Sequence, residues 1–333
     1  MAKVVKVLPP GWRDWTMESG MPDLSGVRIL VTGANAGHGK AAVKALLNHS
    51  NAEKIILACR SEERAKAAMV EITAAHRNQK VQTVASDNAI SPRLEFLKLD
   101  LSDLDAVCKS AEELASRYDR IDVCINNAGC LARKGGRSKQ GHEITMAVCH
   151  LGHFLFNSRI FHLLKKSKAV TGRAARIVSV ASLGHEMTKG IDWDKWLSRN
   201  TDYLKCYADA KLANVMFMFA LKRRLESAGL AEHVTITSLQ PGYARSELYD
   251  GLPCFLRPLA LMMSTPSDTL AINEVRHAVD LDGIPSGTYT ECERHKMYGP
   301  PVLTIPAQPA LVEAEQERLW IETEKVLGEK FAL

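Results

Sequence analysis

The chain has 333 residues, 46% of them hydrophobic and 24% charged, with a net charge of +5. This is ordinary globular composition. It excludes a disordered or fibrous chain, and no run of about 18 apolar residues is present to span a bilayer as a helix. The basic excess gathers only at Lys165-Lys166 and Lys222-Arg223-Arg224, both in helical patterns. These read as solvated helix faces, so no nucleic-acid partner is expected.

Residues 1–22 read as an N-terminal arm docked through Trp12 and Trp15, and Pro9-Pro10 comes too early for an apolar leader. From residue 23 onward, short β-rich apolar runs alternate with helical patterns. The runs are Val27–Thr32, Lys54–Cys59, Leu94–Leu99, Ile121–Ile125, Arg176–Ala181 and Val234–Leu239. Helices are predicted near 39–49, 62–76, 103–117, 143–167, 203–228, 267–280 and 309–328. Residues 77–93 read as a long polar surface loop. Nearly continuous apolar strands imply a parallel sheet covered on both faces, with right-handed crossovers. No linker separates two domains, so residues 23–333 are expected to form one. Eight cysteines show neither C-x-x-C nor zinc spacing; they read as reduced and mostly buried, in a cytoplasmic protein without a metal.

The first strand runs into Thr32-Gly33-Ala34-Asn35-Ala36-Gly37-His38-Gly39, and a helix follows. Glycines there permit a tight turn and close backbone approach, and a helix N-terminus offers free N–H groups and a positive dipole end to a pyrophosphate. His38 stands where an apolar residue is expected, facing either phosphates or solvent. The second strand ends in Cys59-Arg60 rather than in a carboxylate. A guanidinium suits a 2′-phosphate, which favours NADP(H) over NAD(H); the alternative is a plain surface arginine.

Tyr207 and Lys211 are one helical turn apart on one face. Free tyrosine, titrating near pH 10, is a poor proton donor or acceptor near neutrality, and a neighbouring ammonium favours phenolate. A strand ending in Ser179-Val180-Ala181-Ser182 precedes the pair and carries a hydroxyl to the edge where such sheets bind ligands.

In this order TGANAGHG (32–39), NNAG (126–129), Ser182 and YADAK (207–211) resemble the short-chain dehydrogenase/reductase family over nearly the whole chain, with support from Asp100-Leu101 and Pro241-Gly242. The phrases HLGHF (150–154), KLAN (211–214) and Leu319-Trp320 resemble its retinol-dehydrogenase and WW-domain-oxidoreductase branch, and so does the long interval from Ser182 to Tyr207. The resemblance implies an α/β fold: one doubly wound Rossmann-type domain with a mostly parallel seven-stranded sheet. It implies Tyr207 as acid/base, Lys211 on the nicotinamide ribose and Ser182 on the substrate oxygen. Gly33, Ala34, Asn35, Gly37 and His38 would border the pyrophosphate. Asp100 with Leu101 would reach the adenine, and Asn127, Ala128 and Gly129 would line the adenosine side. Pro241, Gly242, Ala244 and Ser246 would hold carboxamide and phosphates.

One residue departs from the family pattern. Cys149 stands where members usually carry the Asn of a proton relay, so a relay would run through a backbone carbonyl or His150, or be impaired. Residues 243–265 read as a substrate lid, rich in Leu, Phe and Met, which suits a small lipophilic carbonyl or alcohol. The leading expectation is an NADP(H)-dependent oxidoreductase. The alternatives are a nucleotide-binding scaffold or redox sensor, and a lyase or isomerase on the same scaffold. The helices near 143–167 and 203–228 present apolar faces that suit either a homodimer or the core.

Overall fold

A computed structural model describes residues 12–79, 90–132, 134–199, 202–243 and 265–333. Strands β1 (Arg28–Thr32), β2 (Lys54–Cys59), β3 (Leu94–Lys98), β4 (Val123–Asn126), β5 (Ala175–Val180) and β6 (Val234–Leu239) fall where the apolar runs predict them. Two more follow, β7 (Tyr289–Arg294) and β8 (Tyr298–Leu303). They form one sheet in the order β3-β2-β1-β4-β5-β6-β7-β8, parallel throughout except for the last pair. The sheet therefore has eight strands rather than the expected seven. The eighth carries Pro300-Pro301: Pro301 turns its carbonyl outward to Trp12, so its missing N–H faces no ladder partner, and the register shift between Cys292 and Arg294 falls opposite Pro300.

The period-2 alternation of each strand sorts its side chains onto two faces. Ile29, Val31, Ile55, Leu57, Val178 and Val180 share one core with helices α1 (Gly37–His49), α2 (Glu62–Gln79) and α6 (Ser267–Val279). Leu30, Ile56, Leu97, Cys124, Ile177 and Ile236 share the other with α3 (Leu104–Arg117), α4 (Gly152–Leu164), α5 (Tyr203–Ser227) and α7 (Glu313–Leu327). The basic knot at 222–224 on α5 is paired, Lys222 with Glu226 and both arginines with Glu317 of α7.

Two predicted helices are divided. The stretch near 143–167 begins with a short α segment, Ile144–Met146, and widens into a π-helical turn, Ala147–Leu151, before α4. Gly152 follows the turn and leaves no room for a side chain, because a Cβ there would lie 2.6 Å from the Leu101 carbonyl oxygen. The last stretch opens as a 3-10 turn, Gln308–Leu311, before α7. Most of the predicted 77–93 loop and of the 243–265 lid lies outside the described residues, as do Ala244 and Ser246. The chain leaves and re-enters the described fold at one point: Thr265 N donates to Tyr243 O at 2.8 Å, and Tyr243 N donates to Met297 O at 2.7 Å.

Candidate active site

Parallel pairing of β1 to β6 brings their carboxyl ends to one edge of the sheet. Gly33, Arg60, Asp100, Asn127, Ser182 and Pro241 all follow those ends, so topology alone gathers them. The order reverses between β1 and β4, which opens the crevice where doubly wound sheets bind ligands.

The glycine turn is packed as closely as its sequence suggests. Gly33 and Gly37 have φ of 67° and 54°, a region that favours glycine. A Cβ on Gly33 would stand 2.9 Å from Ala128 Cα, and one on Gly39 would stand 2.4 Å from Asn127 Nδ2. Thr32 ties this turn to NNAG. Its carbonyl accepts from Asn127 Nδ2 at 2.8 Å and its hydroxyl from Ala128 N at 2.9 Å. The same hydroxyl lies 2.9 Å from His153 Nε2, while His153 Nδ1 reaches the Cys149 carbonyl at 3.2 Å. A carbonyl only accepts, so Nδ1 carries the proton and Thr32 donates to Nε2. Burial holds the His153 imidazole down to about 4, so it stays neutral as this wiring requires.

The turn also fits a dinucleotide phosphate. Ala36 caps α1 without a side-chain hydrogen bond, and the first turn contains no acidic residue. Its leading N–H groups and positive dipole end are thus left for an anion. Backbone N–H groups of Ala34 and Asn35 reach the buried Cys59 sulfur. Arg60 is exposed at the end of β2, with no ion pair among the described residues. Asp100 accepts from Ser102 N at 3.0 Å and from Ser102 Oγ at 2.6 Å, and neighbouring Leu101 is buried. Pro241 O accepts from Asn273 Nδ2 at 3.2 Å, and Gly242, at φ 102°, would drive a Cβ to 2.6 Å from Met297 O.

The three catalytic candidates converge beyond β5. Lys211 Nζ donates to Val180 O at 2.8 Å, and Asn214 Nδ2 donates to the same oxygen at 3.1 Å. The ammonium is thereby fixed to the strand that delivers Ser182 two residues later. It lies 5.9 Å from the centre of the half-buried Tyr207 ring. Ser182 Oγ accepts from Gly184 N at 3.2 Å, which leaves its own proton to donate. Gly184 is the spacer: a Cβ there would lie 2.9 Å from Tyr207 Cε1 and 3.6 Å from Ser182 Oγ. Gly129 closes the other side, since its Cβ would meet Lys211 Nζ at 3.3 Å and Cys149 Sγ at 3.4 Å.

The π turn sets the Cys149 thiol between Gly129 and Lys211. Its contact with the Cys130 thiol and the nearby Lys211 ammonium lower it against burial, while Cys130 is raised by the same contact and by burial. His150 takes no part. Its ring turns into the core between Phe154 and Phe217, and Nε2 meets Thr323 Oγ1 at 2.8 Å. Of the relay routes open in the sequence, the one through His150 is ruled out by this placement, which leaves a backbone carbonyl or an impaired relay.

Two residues escaped the sequence reading. His185 bridges Ser182 O at 2.7 Å and Ala307 N at 3.1 Å, holding the serine turn against the C-terminal segment. Glu274 is wholly buried on α6 and faces His38 across 3.7 Å. The His38 side chain, 12% exposed, thus points neither at solvent nor along the crevice edge but at this carboxyl. The available signal was a charge on the Leu270, Ala271, Val275, Ala278 stripe of α6, where helical spacing calls for an apolar residue.

The short chain dehydrogenase profile matches residues 28–252. Human retinol dehydrogenase 13 is 30% identical over 322 residues, covering 92% of this chain and 86% of its own. The short chain dehydrogenase/reductase dpchH of Colletotrichum higginsianum is 32% identical over 268 residues, 76% of this chain, which spans 63% of that relative's length. Among solved structures, an uncharacterised protein from Mycobacterium paratuberculosis aligns with a TM-score of 0.71 at 24% identity, covering 96% of this chain and 99% of its own. An NADPH-bound carbonyl reductase from chicken fatty liver aligns at 0.54 and 19% identity, covering 79% of this chain and 96% of its own. The chain belongs to the short-chain dehydrogenase/reductase family, in its retinol-dehydrogenase-like branch.

Proposed function

We propose that this nicotinamide-dependent oxidoreductase prefers NADP(H) and interconverts a lipophilic carbonyl compound and its alcohol, with Tyr207 as general acid and base. The observation that carries the reading is the fixing of Lys211 Nζ to Val180 O, one helical turn from Tyr207 and on the strand that presents Ser182. A bound dinucleotide supplies the hydride donor or acceptor. In the reducing direction Ser182 donates its free proton in a hydrogen bond to the substrate oxygen, and Tyr207 O–H transfers a proton to it. The Lys211 ammonium stabilises the negative charge left on the phenol oxygen. Gly33, Ala34, Asn35, Gly37 and the backbone of His38 would hold the pyrophosphate, and Asn127, Ala128, Gly129, Asp100 and Leu101 would border the adenosine. Pro241, Gly242, Ala244 and Ser246 would close the nicotinamide end. The exposed Arg60 supports the 2′-phosphate, and the Leu, Phe and Met content of residues 243–263 supports a lipophilic substrate.

Tyr207→Phe retains NADPH binding by fluorescence titration and loses about 10²–10⁴-fold in kcat on a lipophilic ketone or aldehyde panel. Full turnover in that variant sinks the assignment. Binding of NADPH without consumption, in wild type and Cys149→Asn alike, leaves a nucleotide-binding scaffold instead. Arg60→Asp raises the Kd for NADPH relative to NADH by roughly 10–100-fold, as expected for loss of a charge-assisted bidentate contact. An unchanged ratio of the two constants removes the cofactor preference.

A further inference from the structure

Four buried polar atoms meet beneath the glycine turn without a hydrogen bond among the described residues: both ring nitrogens of His38 and both carboxyl oxygens of Glu274. His38 lies in the first turn of α1, one residue past the glycine that opens it. Glu274 comes from α6, the helix packed along α1. The His38 ring and the Glu274 carboxyl face each other across 3.7 Å, too long for a hydrogen bond. A carboxyl group on an otherwise apolar stripe, set opposite a histidine, serves packing poorly. Buried polar groups left in this state call for an explanation.

The surroundings narrow what the pair can answer to. Among the described residues, Lys211 from α5 is the charged group that acts on both. The other charges along this contact are engaged elsewhere. Lys44 pairs with Asp268 at 2.6 Å, and Arg276 with Asp280 at 3.0 Å and Trp12 O at 2.7 Å. His277 lies between Thr237 and Thr290. Burial pushes the Glu274 carboxyl up to about 8 and the His38 imidazole down to about 4, so near neutrality both are uncharged and the proton that titrates next is the one on the Glu274 carboxyl. The uncapped end of α1 is where an anion would arrive. Negative charge brought there raises the proton affinity of both groups.

We propose that His38 and Glu274 form a buried proton-binding pair under the glycine turn, which gains a proton when an anionic dinucleotide binds and so sets the upper pH limit of cofactor binding. The inference rests on the reading that this turn cradles a nicotinamide dinucleotide. Above the pH at which Glu274 ionises in the empty protein, binding must recover that proton or place phosphate near a buried carboxylate. Either way affinity falls as pH rises, by up to about tenfold per pH unit for one linked proton.

The test is calorimetric titration of the full chain with NADPH at pH 8, in buffers of different protonation enthalpy. At that pH a 2′-phosphate, with a pKa near about 6, is already ionised and contributes no proton of its own. The wild type is expected to take up roughly half a proton per cofactor bound, and its Kd to rise from pH 7 to 9. Glu274→Gln abolishes the uptake and flattens the Kd profile. Glu274→Leu, which restores the apolar stripe, does the same and covers a folding failure of the first variant. Binding heat independent of buffer in the wild type, or equal uptake in wild type and Glu274→Gln, overturns the inference while leaving the cofactor reading intact. Absence of binding by both NADPH and NADH overturns the cofactor reading and this inference with it.

Discussion

Gly184 shows how a residue without a side chain governs one with a reactive hydroxyl. The Tyr207 ring rests where a Cβ on Gly184 would be, so the serine turn and the phenol share one contact. Gly184→Ala must displace the ring or the turn, and displacements of this kind reduce rate far more than stability. The expected outcome is a kcat lower by roughly 10–100-fold with a thermal midpoint close to wild type; an unchanged kcat would show that the contact does not position Tyr207. The motif residues were legible because turn glycines, Tyr207 and Lys211 are constrained by type and spacing. His185 was not, because its partners Ser182 O and Ala307 N are backbone atoms that leave no trace in side-chain pattern, and Ala307 lies far along the chain.

Between elements, the α1–α6 contact carries a pH dependence with a definite sign. Glu274 is raised when folded, so its contribution to stability is complete below its unfolded pKa and is lost as pH rises through about 8. His38 is lowered when folded, so its contribution is lost as pH falls from its unfolded value through about 4. From pH 6.5 to 8 only the Glu274 slope remains of the two. Glu274→Gln is therefore expected to lose less stability than wild type between pH 6.5 and 8, by thermal melts at both; equal losses would place the ionisation elsewhere. Helix existence was legible from apolar period, and strand positions from runs of β-branched residues. The π turn was not. Gly152, the residue that follows it, packs against the Leu101 carbonyl, a contact between distant segments that no local preference shows.

Across the whole molecule, the N-terminal segment is bound to the far edge of the sheet. Trp12 is buried, donates Nε1–H to Pro301 O at 2.6 Å and lies under the Arg276 guanidinium at 4.0 Å, while Arg276 also donates to Trp12 O. Trp12→Ala is expected to destabilise by about 3–5 kcal/mol, measured as a fall in the urea midpoint. A shift below about 1 kcal/mol would show that this segment adds little to the fold. The doubly wound parallel sheet was legible from strand–helix alternation, but β8 was hidden because its prolines argue against a strand everywhere except at an edge or a bulge.

The junction of Tyr243, Thr265 and Met297 has a consequence for how such a chain diversifies. Tyr243 and Thr265 are hydrogen-bonded to each other, so the framework holds these two positions side by side. Doubling the length of an intervening stretch costs only about 0.6 kcal/mol in closure entropy. A change in the length of that stretch of sequence therefore need not move either anchor.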